Sequence, residues 1–293
     1  MHFASGIVRP PFEAGCEFLQ VTSGCSHNSC RFCTFYKDAR FAVSDLEEVK
    51  GDIDELSKSP WHHYNRIWLQ GADAFALPYD RLMKIAEAIY EKLPWVKSIG
   101  AFARATNFRN KSTRELEMLA DAGYSRLTVG IETGDDELLA WMNKGYDADF
   151  ALEQMEKVND AGLTWVGQFL NGLGGYGYGD ESAIATAEFY NKVPPMLIYT
   201  ASLTLFKDTP LYGEVLSDTF REATEIERLE ELKVLIDRLG CETEIRCEHV
   251  SMPVKLAGRL PEDKERLISI LDRGIVANAD GELERYRKSI VGL

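Results

Sequence analysis

The sequence predicts an α/β protein built on parallel strands, and three observations carry that expectation. Six apolar runs of strand length recur through the first two-thirds of the chain, helical patterns separate them, and polar or glycine-rich residues close nearly every run. Strands that alternate with helices read as βαβ units with right-handed crossovers. Periodicity alone leaves two forms open, a doubly wound sheet and a sheet curled toward a barrel.

The expected strands are residues 18–23 (FLQVTS), 66–71 (RIWLQG), 98–103 (SIGAFA), 126–132 (RLTVGIE), 164–170 (TWVGQFL) and 196–206 (MLIYTASLTLF). Ser44-Asp45-Leu46-Glu47 and Ser112-Thr113-Arg114-Glu115 fit the capping box, in which side chains at each end satisfy orphan backbone donors. Leu116, Leu119 and Ala120 give the second helix an apolar stripe, and Gly123 ends it. Helices over 150–161 and 181–192 lead into the fifth and sixth strands. Gly71, Ala103-Arg104, Glu132, Gln168 to Asn171 and Ser202 to Thr204 close the strands, and parallel barrels build their sites on that carboxyl-terminal rim.

After Pro210 the pattern changes. Thr224 and Glu227 open a charged helix that runs to Gly240, residues 244–251 (EIRCEHVS) alternate as a strand, and a last helix follows Pro261. These roughly eighty residues hold too few apolar side chains for an independent core. They are expected to pack against the open side of the preceding strands, where His249 would reach the rim.

Composition narrows the function. The 293 residues are 45% hydrophobic, enough for a sizeable core, and no run approaches the ~20 apolar residues that span a bilayer. The start lacks a basic segment followed by an apolar stretch, so a reducing cytoplasm is the expected setting. With a net charge of −14 and no block of Lys and Arg, the chain favours a small-molecule or peptide substrate over nucleic acid.

Cys25, Cys30 and Cys33 lie within nine residues, CSHNSCRFC. Thiolates this close on one loop can grip a single metal centre. Three sulfurs on a four-iron cube leave one iron open to an outside ligand. The alternative is a structural zinc site completed by His27 or Cys16. Cys16, Cys241 and Cys247 are too scattered to hold a second cluster.

The loop, with Phe32 before its last cysteine, resembles the cluster loop of the radical S-adenosylmethionine (SAM) family, with one extra residue between the first two cysteines. Residues 126–145 (RLTVGIETGDDELLAWMNKG) resemble a recurrent pattern of that family, an Ile-Glu-Ser/Thr-Gly turn followed by a helix ending in Asn-Lys-Gly. The likeness covers about residues 15–215 and implies a partial (β/α)6 TIM-type barrel, with 216–293 as an α+β extension over its opening.

The resemblance implies a 4Fe–4S cluster on Cys25, Cys30 and Cys33, with SAM chelating the open iron and Phe32 packing against it. Gly71, Ala72 and Asp73 stand where the family carries the Gly-Gly-Glu that binds the methionyl ammonium. Arg104 suits the SAM carboxylate through its planar fork, or a surface ion pair. Glu132 suits the ribose hydroxyls, or a helix cap. Gln168 and Asn171 precede the glycine-rich residues 172–179 (GLGGYGYG), which lack the GK[ST] ending of a phosphate loop. Ser202, Leu203 and Thr204 would offer backbone edges to adenine. Trp165, Tyr176 and Tyr178 are candidates to line the substrate pocket.

The implied activity is reductive cleavage of SAM to a 5′-deoxyadenosyl radical that abstracts hydrogen from substrate. A flavodoxin or ferredoxin would supply the electron, and the centre would be oxygen-sensitive. The whole-chain pattern resembles the branch with oxygen-independent coproporphyrinogen oxidases and tRNA-modifying methylthiotransferases. The variant cysteine spacing and short acidic tail argue against either named activity.

Overall fold

The computed structural model describes residues 1–4, 6–60, 64–278 and 281–290. Two compact units divide the chain: Met1–Asn28 with Phe35–Gly130 and Glu153–Trp165, then Ser29–Thr34 with Ile131–Leu152 and Val166–Leu293.

In the first unit β1 (Glu17–Gln20) is followed by a small antiparallel pair, β2 (Thr22–Ser23) and β3 (Ala42–Val43), and the cysteines lie on the chain between the two. Next come α1 (Leu46–Ser57), β4 (Arg66–Gln70), α2 (Tyr79–Lys92), β5 (Ser98–Ala103), α3 (Thr113–Asp121) and the start of β6 (Leu127–Glu132). All pairings in this series are parallel, with Glu17 opposite Ile67, Arg66 opposite Ser98 and Phe102 opposite Thr128. Every residue of β4 is buried, as expected of a strand covered on each face. Leu19, Ile67, Leu69, Ile99 and Leu127 on the strands and Ile85, Ile89, Leu116 and Leu119 on the helices are all buried, and each such side chain contributes about 1.5–3 kcal/mol.

The expected box at Ser112 forms, with Glu115 reaching back to the cap. The one at Ser44 does not. Asp45 is the cap of α1 and accepts from the Glu47 amide at 2.8 Å, because the helix starts one residue later. The Ser44 hydroxyl is engaged instead by the His2 ring at 3.0 Å.

In the second unit α4 (Asp136–Trp141) follows the end of β6, and α5 (Ala148–Asp160) leads back into the first unit. Then come β7 (Trp165–Asn171), α6 (Gly179–Lys192), β8 (Leu197–Ser202), α7 (Pro210–Leu216), α8 (Glu225–Arg238), β9 (Thr243–Cys247), β10 (Leu256–Leu260), α9 (Lys264–Ala277) and α10 (Glu282–Ser289). β7 and β8 pair in parallel from Val166–Leu197 to Asn171–Ser202. β9 adds in parallel to β8, and β10 returns antiparallel. The residues after 215 therefore do not form a unit of their own; they extend the β7–β8 sheet and pack α8 against α6. No helix among the described residues is long and apolar enough to cross a membrane.

Candidate functional site

The first arm of the cysteine loop is built by the first unit. Gly24 has φ +66°, and a Cβ there would lie 2.7 Å from the Arg40 carbonyl, so only glycine fits this turn. Cys25 is half-buried, with its sulfur accepting from the Asn28 amide at 3.4 Å. Burial and the Asp73 charge push its thiol up, so without metal the sulfur keeps its proton.

Asp73 is fully buried and its carboxylate accepts from the Ser26 amide (3.1 Å) and the Ser26 hydroxyl. Burial pushes its acid upward, and the Ser26 hydrogen bonds oppose that shift. The Ala72 amide donates to Gly24 at 3.3 Å. Gly71 has φ +138°, and a Cβ would fall 1.9 Å from the Thr22 hydroxyl. Gly71, Ala72 and Asp73 thus hold the cysteine loop, with the Asp73 carboxylate already engaged at Ser26. Arg104 directly follows β5, bonds Thr106 at 3.2 Å, and lowers the acid values of Cys25 and Asp73 by its charge. A fixed cation beside a thiol and a carboxyl is a suitable neighbour for a bound carboxylate.

The second arm belongs to the second unit. Cys30 and Cys33 are half-buried, and the Cys33 amide donates to the Cys30 carbonyl at 3.4 Å. The turn after α4 grips this segment. The Arg31 amide donates to Met142 at 3.0 Å, the Arg31 guanidinium donates to the Trp141 carbonyl (3.4 Å) and pairs with Glu214, and the Asn143 amide donates to Ser29 at 3.1 Å. Phe32 packs on an apolar cluster of Met142, Leu173, Leu203, Leu211 and Phe220.

Glu132 ends β6 with φ +72°, a left-handed backbone that non-glycine residues seldom adopt. Its carboxylate lies 3.3 Å from the Lys144 ammonium. It is not the cap of the following helix, a role that Asp135 fills by accepting from Leu138 at 2.8 Å.

Two expected contacts, Asn171 and Leu203, are committed to the unit's own packing. Asn171 is buried, and its amide donates at 2.9 Å to the Arg228 carbonyl and to Glu231. Leu203 is buried; its carbonyl accepts from Arg228 (3.1 Å) and Arg287 (3.3 Å), and its amide donates to Asn171 at 2.9 Å. The Gln168 carbonyl accepts from the Tyr190 hydroxyl at 2.9 Å. Trp165 corrects the expectation of a pocket residue: it opens β7 rather than closing it, is buried, and donates to Asn159 at 2.9 Å. Tyr176 is exposed and stacks on Arg221 at 3.7 Å. Tyr178 faces Asp135 and Glu137, and burial together with that negative charge raises its hydroxyl to about 12.

The His249 ring meets Ser251 at 2.7 Å and the edge of Tyr199, and burial lowers it to about 4. The Ser251 hydroxyl accepts from the Ser202 amide at 2.9 Å, so this turn caps the carboxyl end of β8. Cys16 and Cys247 are buried, with thiols raised to about 12 chiefly by burial, and such thiols are poor ligands and poor nucleophiles. Cys25, Cys30 and Cys33 differ from them in lying half-open on one loop. Among the described residues no group of three or more His, Cys, Asp or Glu side chains is gathered tightly enough to hold a metal ion. The donor chemistry of the loop suits a soft metal centre, and gathering the three sulfurs would accompany its binding.

Sequence reasoning did not find the Asp73–Ser26 contact or the Lys144–Glu132 pair. Lys144 was visible only as the middle of the Asn-Lys-Gly helix ending.

A parallel α/β fold carries a half-open three-cysteine loop after β1 and an acid at the tip of β6. Residues 19–190 match the model of the radical SAM superfamily, and the chain belongs to that superfamily. The heme chaperone HemW of Bacillus subtilis (strain 168) is 23% identical over 143 residues, 47% of this chain and 38% of HemW, so the matched region spans well under half of that relative. Among solved structures, methylornithine synthase (PylB) aligns with a TM-score of 0.54 at 18% identity, over 87% of this chain and 68% of that one. Coproporphyrinogen III oxidase (HemN) from Escherichia coli aligns with a TM-score of 0.54 at 14% identity, over 76% and 51%. The fold is thus the α/β fold of these partial-barrel proteins. Enzymes of this superfamily use a 4Fe–4S cluster and SAM and take electrons from reductants.

Proposed function

We propose that this enzyme cleaves SAM reductively and abstracts hydrogen from a small-molecule or peptide substrate. The half-open cysteine loop, held by Asp73 on one arm and by the α4 turn on the other, carries the reading. Cys25, Cys30 and Cys33 would hold the cluster. When bound, the cluster and SAM supply a 5′-deoxyadenosyl radical after one-electron reduction.

Around them the chain's own residues bind and orient. Glu132 would accept from the ribose hydroxyls, and Arg104 would pair with the carboxylate of SAM. Gly71, Ala72 and Asp73 set the first arm of the loop; the peptide oxygens of this strand end remain suited to the methionyl ammonium. Phe32 backs the loop with an apolar wall. Gln168, half-buried on β7, would contact SAM, while Asn171 and Leu203 support the rim from behind, since the Asn171 amide and the Leu203 backbone are engaged internally. A small one-electron donor such as a flavodoxin or ferredoxin would serve the loop, and the oxygen-sensitive centre suits a cytoplasmic setting.

Anaerobic reconstitution with iron and sulfide, followed by SAM and a chemical reductant, tests the proposal. About four iron atoms per chain and release of 5′-deoxyadenosine are expected. A chain that takes up zinc tightly, stays colourless and leaves SAM intact would favour a zinc-stapled barrel instead.

A further inference from the structure

We propose that Lys144 is a positioning residue that fixes the Glu132 carboxylate and registers it against the Cys30–Cys33 arm of the cluster loop. The inference rests on the reading of Glu132 as the ribose contact and adds a residue to which that reading gives no role.

Four observations meet at Lys144. Its side chain is only 4% exposed, so its charge has left water and requires compensation. The ammonium lies 3.3 Å from Glu132 and 5.8 and 5.7 Å from the ring centres of Phe32 and Tyr146, within the ~6 Å reach of a cation over an aromatic face. Its neighbours tie the same turn to the loop, through Met142 to Arg31 and Asn143 to Ser29. Glu132, its anionic partner, has a left-handed backbone (φ +72°), the kind of local strain that persists where surroundings over-determine a residue.

The consequence is geometric. Glu132 sits at a strand tip and would otherwise sample several rotamers, each turn of which moves its oxygens by ångströms. Lys144 removes that freedom by holding one carboxylate oxygen, Oε1, at 3.3 Å. The same ammonium lies over Phe32, the residue directly before Cys33. One side chain therefore sets the distance between the acid proposed for the ribose and the loop proposed for the cluster. A short turn ending in Asn143-Lys144-Gly145 suits this task. Asn143 and Gly145 take φ of +53° and +79°, which reverses the chain tightly enough to bring Lys144 back under β6.

The test measures SAM affinity of the iron-loaded protein by equilibrium dialysis, with iron per chain measured on the same samples. Lys144→Met should weaken SAM about tenfold, about 1.4 kcal/mol, while iron content stays at the wild-type level. Lys144→Arg, which keeps the cation, should restore affinity to within about twofold. The double variant Lys144→Met/Glu132→Gln should bind no more weakly than Glu132→Gln alone, since Lys144 acts through Glu132. A wild-type dissociation constant in Lys144→Met beside a weakened Glu132→Gln would overturn the role of Lys144 and leave the ribose reading intact. Unchanged affinity in Glu132→Gln would overturn the ribose reading and this inference with it. Loss of iron from Lys144→Met, or failure of Lys144→Arg to restore binding, would show a structural lysine and overturn the positioning role.

Discussion

Glu132 combines two features that a residue at a strand tip seldom carries together, a left-handed backbone and a buried cationic partner. Replacing it by Gln keeps its shape and removes a charge-assisted acceptor, a loss of about 1–2 kcal/mol in SAM binding. We expect the SAM dissociation constant to rise about tenfold at full iron content, as read by dialysis. Among the cysteines, Cys25→Ala, Cys30→Ala and Cys33→Ala should each lose most bound iron on reconstitution, whereas Cys241→Ala should keep it. Full iron in Cys30→Ala would contradict the ligand assignment. The loop and Glu132 were legible in the sequence because each signal is local, a spacing or a turn. The partners were not. Asp73 lies 47 residues from Ser26, and nothing in either segment announces the other.

At the scale of elements, Asp73 and the turn after α4 act as two clamps on one loop. Asp73→Ala leaves the Ser26 amide and hydroxyl without their buried acceptor, at a cost of about 1–3 kcal/mol. The variant should melt at a lower temperature and lose its iron faster in air, whereas Asp73→Asn, which keeps one acceptor oxygen, should fall between. Equal iron lifetimes in Asp73→Ala and wild type would show that the clamp does not hold the site. A second prediction concerns β9. Its removal by deleting the residues after Gly240 leaves β8 as an exposed edge, a template for pairing with other chains. The truncated protein should aggregate in light scattering at concentrations where the full chain stays monodisperse.

Capping boxes at Ser112 and Thr224 were readable because three residues contain the whole device. β10 was not read. Leu256-Ala-Gly-Arg-Leu buries only its two ends, and its pairing with β9 is set by an intervening turn. Trp165 was misread although its strand was expected at 164–170: it stands at the head of a parallel strand, opposite the carboxyl-terminal rim, and its nearness in sequence to the glycine-rich residues does not bring it to that rim.

On the scale of the molecule, strand–helix alternation was enough to give the α/β class, since parallel strands covered on each face must be apolar throughout. The buried charges of the tail were invisible to that reasoning, because Arg228, Glu225, Glu231 and Arg287 look like the solvated face of a charged helix. The structure turns them inward. Arg228 is 1% exposed, Arg287 bonds Glu225 at 3.0 Å, and Glu231 accepts from Gly172 at 2.6 Å.

Burial pushes Glu231 up to about 8 from an ordinary 4.5. The folded chain then holds this proton more tightly than the unfolded one, so its contribution to stability is present below the ordinary value and is lost as pH rises toward the folded value. Glu231→Gln should flatten the fall in melting temperature between about pH 5 and pH 8. An identical pH profile in the variant would show that the carboxyl is ionised throughout.

The central claim is that three thiolates leave one iron open for SAM. Electron paramagnetic resonance of the reduced, iron-loaded chain, with SAM isotopically labelled in its amino and carboxylate groups, addresses it directly. The spectrum should shift on adding SAM and show hyperfine coupling from the label to the cluster. A spectrum indifferent to SAM, with no coupling to the label, would contradict it.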